Sequence, residues 1–374
     1  MKNKERFRRK IRKVIVITLC WTLLVSFFYI NNYFFVKDLI DLQKVEGNYA
    51  FWPDFTAQII LGLLGGLLGG YLLVFRMEAR YKQRSFGFGI INSGLLFIFY
   101  YLVIAVAGLF ILGLVYRSFQ MGLAEAAGQS WANVMINLGT PSFISVMVLA
   151  GVLVSATQFM LQVNDKFGSG VLWKFIIGKY YLPRQEERIF MFLDLKSSTT
   201  IAEKIGSKQF FEMIREIFQD ITEPITDNLG EIYQYVGDEV IVSWPVDRGL
   251  RENNCLFCFF DIERKMAERQ AHYQEKYGQT PTFKAGLHIG EATVGEIGVI
   301  KKDIVFSGDV LNTASRIQGE CNRYDAGILV SSDLLERMPL DRSFEKIPMG
   351  EIQLRGKASK IALNTVKIRH PQPS

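Results

Sequence analysis

The chain has 374 residues, 49% of them apolar, and a net charge of +6. The length suits two or three domains, and the apolar share, concentrated in the first half, is high for a protein wholly in water. Much of the basic excess flanks apolar runs, where it suits anionic lipid headgroups better than nucleic acid; no base-reading motif is present.

From the N-terminus, "KNKERFRRKIRK" precedes an apolar run at about 14–35, and further runs follow at about 55–75, 88–115 and 141–162. Each supplies the roughly 20 residues that a membrane helix needs. The first run is too long for a signal peptide, and no small-residue cleavage site follows it. The N-terminus and the connection "RMEARYKQR" are basic, whereas the connections at about 36–54 and 116–140 carry few Lys or Arg. Four spans with basic ends on one side make 1–162 a multi-pass domain of the plasma membrane with both termini in the cytoplasm. In "LGLLGGLLGG", Gly62, Gly66 and Gly70 recur every four residues, as do Gly65 and Gly69. This spacing lets helices approach closely, either inside a bundle or between protomers. No acid or base sits mid-span, unlike an ion pathway.

Residues 163–187 form a juxtamembrane linker, amphipathic at its start and broken at Pro183. It serves as a tether or a transducer. Strands and helices then alternate from 188 to 368. The pattern predicts a strand at 188–195 and helices from 198 to about 228. A hairpin, "EIYQYVGDEVIVSW", turns at Gly237-Asp238. A helix at about 250–277, strands through "FKAGLHIGEATVGEIG" and a helix at 309–320 follow, with more strands to the end. This is one α/β domain with a mixed sheet. The four cysteines and three histidines lack zinc-site spacing. Cys255 and Cys258 read as buried thiols, no disulfide is expected in a cytoplasmic half, and His288 reads as a sheet residue.

The chemistry gathers around "RIFMFLDLKSSTT". Asp194 ends an apolar strand, where a carboxylate is costly without a partner. Asp238 sits at the hairpin turn after Gly237. Taken singly, the first reads as a helix-capping acid and the second as a turn acid. If their strands are neighbours, the two carboxylates meet, and two hard oxygen ligands suit Mg2+ or Mn2+ carrying a nucleoside triphosphate. Ser197, Ser198 and Thr199 can cap the following helix, whose free N–H groups would cradle phosphate. Asn312 and Arg316, four apart on a helix, share one face. Arg316 could neutralise a transferring phosphoryl group; the plainer reading is a solvated helix face.

In order, "FLDLKSST", "YVGDEV", "GLHIGEATVGEIG" and "GDVLNTASR" resemble the class III nucleotidyl cyclases over about 188–368, here with a four-span membrane domain ahead of them. The resemblance implies an α+β, ferredoxin-like core with extra strands, working as a head-to-tail homodimer. It implies two Mg2+ or Mn2+ ions per site on Asp194, Asp238 and the Leu195 carbonyl, and conversion of ATP to 3′,5′-cyclic AMP and pyrophosphate. Asn312 and Arg316 match the pair that orients ribose and stabilises the transition state. Arg355, in "LRGK", stands where the family places a lysine that binds the terminal phosphates. Lys196, Ser197, Ser198 and Thr199 would line the phosphates.

The departures concern the base. Adenylate-making members commonly carry a lysine and an aspartate or threonine where this chain has Gln234 and Val305, and the Glu and Cys pair of guanylate-making members is also missing. A glutamine amide can meet the edge of either purine. Adenine is expected, with cyclic GMP synthesis as the alternative. A non-catalytic nucleotide-sensing receptor is a further rival. A diguanylate-forming enzyme is disfavoured because Val236 breaks its doubled glycine.

Overall fold

A computed structural model of the protein describes residues 2–41, 51–77, 86–119, 121–167, 171–340, 343–353 and 360–369. It falls into two compact units, residues 3–166 and 167–374.

In the first unit, four helical segments are long and apolar enough to cross a membrane: Phe7–Asp38, Gln58–Arg76, Gly87–Ser118 and Phe143–Asn164. Leu23, Leu64, Leu95 and Val152 are exposed on them, part of an apolar surface too extensive for water. The connection at 116–140 departs from the expected loop, because Leu123–Leu138 is a helix. Its 16 residues are too few for a bilayer core of roughly 30 Å at 1.5 Å each. Ala126, Ser130 and Val134, four apart, form its buried stripe, and Arg117 donates to Ser130 Oγ at 3.1 Å.

The glycine stripe has a partner within the chain. A Cβ on Gly62 would lie 2.9 Å from Thr22 Cα, and one on Gly66 2.7 Å from Thr18 Cα. These glycines let the helix Phe51–Tyr71 lie against the helix Lys2–Asp41. A Cβ on Gly65 would meet nothing within 4 Å. Most of the basic connection "RMEARYKQR", at 78–84, lies outside the described residues.

The second unit is built on β1 (Arg184–Leu195), β2 (Glu231–Val236), β3 (Glu239–Pro245), β4 (Phe283–Ile297), β5 (Asp303–Ser307), β6 (Ile328–Ser331), β7 (Phe344–Gln353) and β8 (Lys360–Ile368). Among the described residues these eight strands form one sheet in the order β2-β3-β1-β4-β6-β8-β7, with β5 beside β4. Only the β4–β6 pairing is parallel. The order β2-β3-β1-β4, with helices after β1 and β3, is a ferredoxin-like βαββαβ core, extended by the later strands. The helical stretch after β1 breaks at Gly206, φ +81°, into Ser198–Ile205 and Ser207–Asp227. That after β3 divides into Asn254–Glu268 and Gln270–Tyr277.

From Ile189 on, β1 is an almost unbroken apolar run because both of its faces are covered. Ile189, Met191, Leu193 and Leu195 pack with Met213, Ile217, Phe259 and Ile262 of the helical layer. Phe190 and Phe192 pack on the other face with Val310 and Ala314, from the helix Asp309–Gly319. That helix rests directly on β4: a Cβ on Gly286 would fall 2.2 Å from Gln318 N. Just before the apolar run of β1, Arg188 is only 2% exposed. Its buried charge is met by Glu231 at 2.8 Å, Glu186 at 3.1 Å and Ser243 Oγ at 3.0 Å.

Candidate active site

Strand register brings the two aspartates together. Asp194 stands opposite Glu239 on β3, so the preceding hairpin residue, Asp238, arrives beside the end of β1. Gly237 makes the turn at φ +62°, a conformation that glycine adopts freely. Asp194 is also opposite Lys284 on β4, whose Nζ lies 3.0 Å from Asp194 Oδ2. Gln318 Nε2 donates to the same oxygen at 3.0 Å.

The electrostatics follow from this crowding. Burial pushes the Asp194 carboxyl above its ordinary range; Asp238 adds to the rise as a charge and a hydrogen-bond partner, and Lys284 opposes it. Glu239 is pushed up to about 7 by burial and by Asp194 and Asp238, again against Lys284. Three carboxyls with one neighbouring lysine favour a further cation. Among the described residues, no three His, Cys, Asp or Glu side chains converge as a metal cage. Two hard carboxylates, with remaining ligands from backbone and phosphate, fit Mg2+ or Mn2+.

Beyond β1, Leu195 is buried and Lys196 half-buried, with Lys196 N–H donating to Thr282 O at 2.8 Å. Ser197 precedes the helix Ser198–Ile205 in left-handed backbone, φ 57°, and its side chain makes no capping bond. The expected hydroxyl cap at Ser197 is thus not formed. In this conformation the backbone itself sets the turn, as it also does at Leu229, Glu252, Asn253 and Asp325.

Asn312 is exposed and Arg316 half-buried on the Asp309–Gly319 helix. Gln318, two residues beyond Arg316 and so about 200° around the helix, is the residue turned to Asp194. Within the chain, the Asn312–Arg316 face is therefore turned away from Asp194. Gln234 is exposed on β2, and Val305 is half-buried on β5 opposite Gly295. Arg355 lies outside the described residues.

His288 is a buried sheet residue with Nδ1 2.8 Å from Ser331 Oγ. Cys255 and Cys258 are buried, and burial pushes the Cys255 thiol up to about 12. Glu239, Lys284 and Gln318 are site residues that motif reading missed. Only Glu239 had a local signal, as the residue after Asp238; the other two depend on strand register and helix placement.

Residues 181–367 match the family model of the adenylate and guanylate cyclase catalytic domain. The chain is 34% identical over 220 residues to adenylate cyclase 2 of Rhizobium meliloti (strain 1021), across 59% of this chain and 61% of that one. It is 25% identical over 208 residues to adenylate cyclase 1 of the same organism, across 54% of this chain and 29% of the relative. The chain thus spans about three-fifths of the first relative's length and about three-tenths of the second's. A solved bacterial light-regulated adenylyl cyclase shares the fold, with a TM-score of 0.51 at 20% identity over 59% of this chain and 65% of that one.

Proposed function

Because the chain belongs, across residues 181–367, to the family of adenylate and guanylate cyclase catalytic domains, we propose that it is a membrane-anchored cyclase converting ATP to 3′,5′-cyclic AMP and pyrophosphate. The observation that carries this reading is the meeting of Asp194 and Asp238 at the end of β1. Those two carboxylates and the Leu195 carbonyl would hold two Mg2+ or Mn2+ ions, which when bound supply activation of the ribose 3′-hydroxyl and neutralisation of phosphate charge.

The protein's own groups do the rest. The 3′-oxygen attacks the α-phosphorus in line, forming the cyclic ester while the bond to the bridging oxygen breaks and pyrophosphate leaves. The hydroxyl proton passes to water, since no side-chain base stands out. Arg316 stabilises charge on the α-phosphoryl group, Asn312 holds the ribose, and Arg355 grips the departing phosphates. N–H groups at the start of the Ser198–Ile205 helix, with Lys196 and the Ser197, Ser198 and Thr199 hydroxyls, receive the phosphate chain. Gln234 and Val305 face the base.

The site is shared between two protomers. The half-turn of helix that separates Arg316 from Gln318 supports this, because the Asn312–Arg316 face would be met by another copy's aspartates. A head-to-tail homodimer makes two complete sites. Residues 1–162 hold the dimer in the plasma membrane as a four-span bundle, 163–187 join it to the catalytic domain at 188–368, and both termini lie in the cytoplasm. Basic ends of the spans meet anionic lipid; no nucleic-acid partner is proposed.

The test is direct. The full-length protein in detergent is incubated with Mn2+ and either ATP or GTP, and products are identified by mass spectrometry. Cyclic AMP is expected. Cyclic GMP instead would retain the mechanism and overturn the base assignment. No cyclic product from a demonstrated dimer contradicts the reading and favours a nucleotide-sensing receptor.

A further inference from the structure

The hairpin strand that carries Gln234 is irregular, and the irregularity has a definite effect. Ile232 pairs with Val242 and Gln234 with Ile241, so Tyr233 is the extra residue of a β-bulge. Ile232 packs against the helical core. Tyr235 faces the same layer, its ring 4.6 Å from that of Phe218. In a regular strand, residues three apart point to opposite faces. The bulge therefore turns Gln234 away from the helical layer, to the face that Tyr233 occupies. Bulges commonly re-aim a side chain next to a site.

Tyr233 is itself anchored across that face. Its hydroxyl accepts the N–H of Phe306 at 3.2 Å. The two rings meet edge to face, with centroids 5.0 Å apart. Phe306 in turn packs on Phe190 at 5.5 Å and lies under the Arg188 guanidinium at 4.8 Å. Tyr233 is the residue before Gln234, and Phe306 the residue after Val305. One contact thus ties together the two strand segments that bear this chain's unusual base-facing pair.

We propose that Tyr233, through the β2 bulge and its hydrogen bond to the Phe306 N–H, is a positioning residue that sets purine selectivity by fixing Gln234 against Val305. The proposal rests on the cyclase reading above. Tyr233 acts on the base through its neighbours and touches no reacting atom. Losing its hydroxyl leaves the ring contact as the tie between Tyr233 and Phe306 and loosens the spacing of the base pocket, while the aspartates and Arg316 are unaltered. The ratio of kcat/KM for ATP to that for GTP then changes, through KM more than kcat.

The experiment compares full-length wild type, Tyr233→Phe and Phe306→Leu in detergent with Mn2+, measuring kcat and KM for ATP and GTP, with thermal melting as a check on folding. F306L keeps the Tyr233 hydroxyl and removes the ring against it, so it reads the same coupling should Y233F not fold. The expected result is a change of roughly three- to tenfold in the ATP/GTP ratio, the scale of one hydrogen bond, carried by KM. An active wild type whose ratio is unmoved in the variants that fold overturns the role of Tyr233 alone. Failure of both variants to fold also overturns it, by making the contact a requirement of the fold. A wild type that makes no cyclic product removes the cyclase reading, and this inference with it.

Discussion

Gln318 donates its side-chain amide to Asp194 Oδ2 at 3.0 Å, and this bond fixes the facing of the helix that also carries Asn312 and Arg316. With Gln318 turned inward, Arg316 is turned outward by the pitch of the helix. In the proposed function, then, the two halves of the site lie on different surfaces of the chain, and the consequences of that separation can be measured.

Asp194→Asn should separate activity from stability. It removes a carboxylate that burial and Asp238 disfavour in the folded state. Cyclase turnover should fall by roughly a thousandfold, the scale expected when a charge-stabilising group is lost. The melting temperature of the metal-free protein should not fall, since relieving like-charge crowding at a site favours the fold. Calorimetry with a chelator beside a cyclase assay checks both; a large loss of stability would contradict the account.

Glu231 makes the base of β2 sensitive to acid. Burial by itself would raise its carboxyl, but the charges and hydrogen bonds of Arg188 and Lys174 hold it below the usual carboxylate range. A depressed carboxyl contributes stability above the unfolded value, near 4.3, and loses it as pH falls through the lower folded value. Glu231→Gln should cost roughly 3 kcal/mol at neutral pH, because it leaves the buried Arg188 charge short of a partner. It should also flatten the pH dependence of stability below about pH 5. Denaturation curves from neutral to acid pH give both readouts.

In the apolar unit, neighbouring glycines should differ. A Cβ at Gly66 falls 2.7 Å from Thr18 Cα, whereas one at Gly65 meets nothing within 4 Å. Gly66→Ala should destabilise the bundle by about 1–3 kcal/mol, the usual cost of overpacking, and Gly65→Ala should be tolerated. Thermal stability in a common detergent distinguishes them; equal behaviour would place the tight seam elsewhere.

Much of this was legible in the residues because it is local. A short apolar run marked β1, turn chemistry marked the hairpin at Gly237, and a spacing of four put Asn312 and Arg316 on one helix face. What escaped depends on tertiary context. Lys284 enters the site only through the register of β4 against β1, and a strand carries no mark of its register. The bulge at Tyr233 appears only when β2 is paired with β3. Ser197 looks like a cap by composition, yet its left-handed backbone leaves the hydroxyl without that bond. The helix Leu123–Leu138 gives a weak apolar period, because two of the three residues in its buried stripe, Ala126 and Ser130, are small.

The measurement that tests the shared site most directly is complementation. Full-length chains carrying Asp238→Asn and Arg316→Ala are expressed separately and together, and cyclic AMP formation is measured in membranes. Each alone should be nearly inactive. Together, random pairing makes half the dimers mixed, each with one intact site of two, so activity should return to about a quarter of wild type. Activity no greater than the sum of the separate chains would contradict a site built from two protomers.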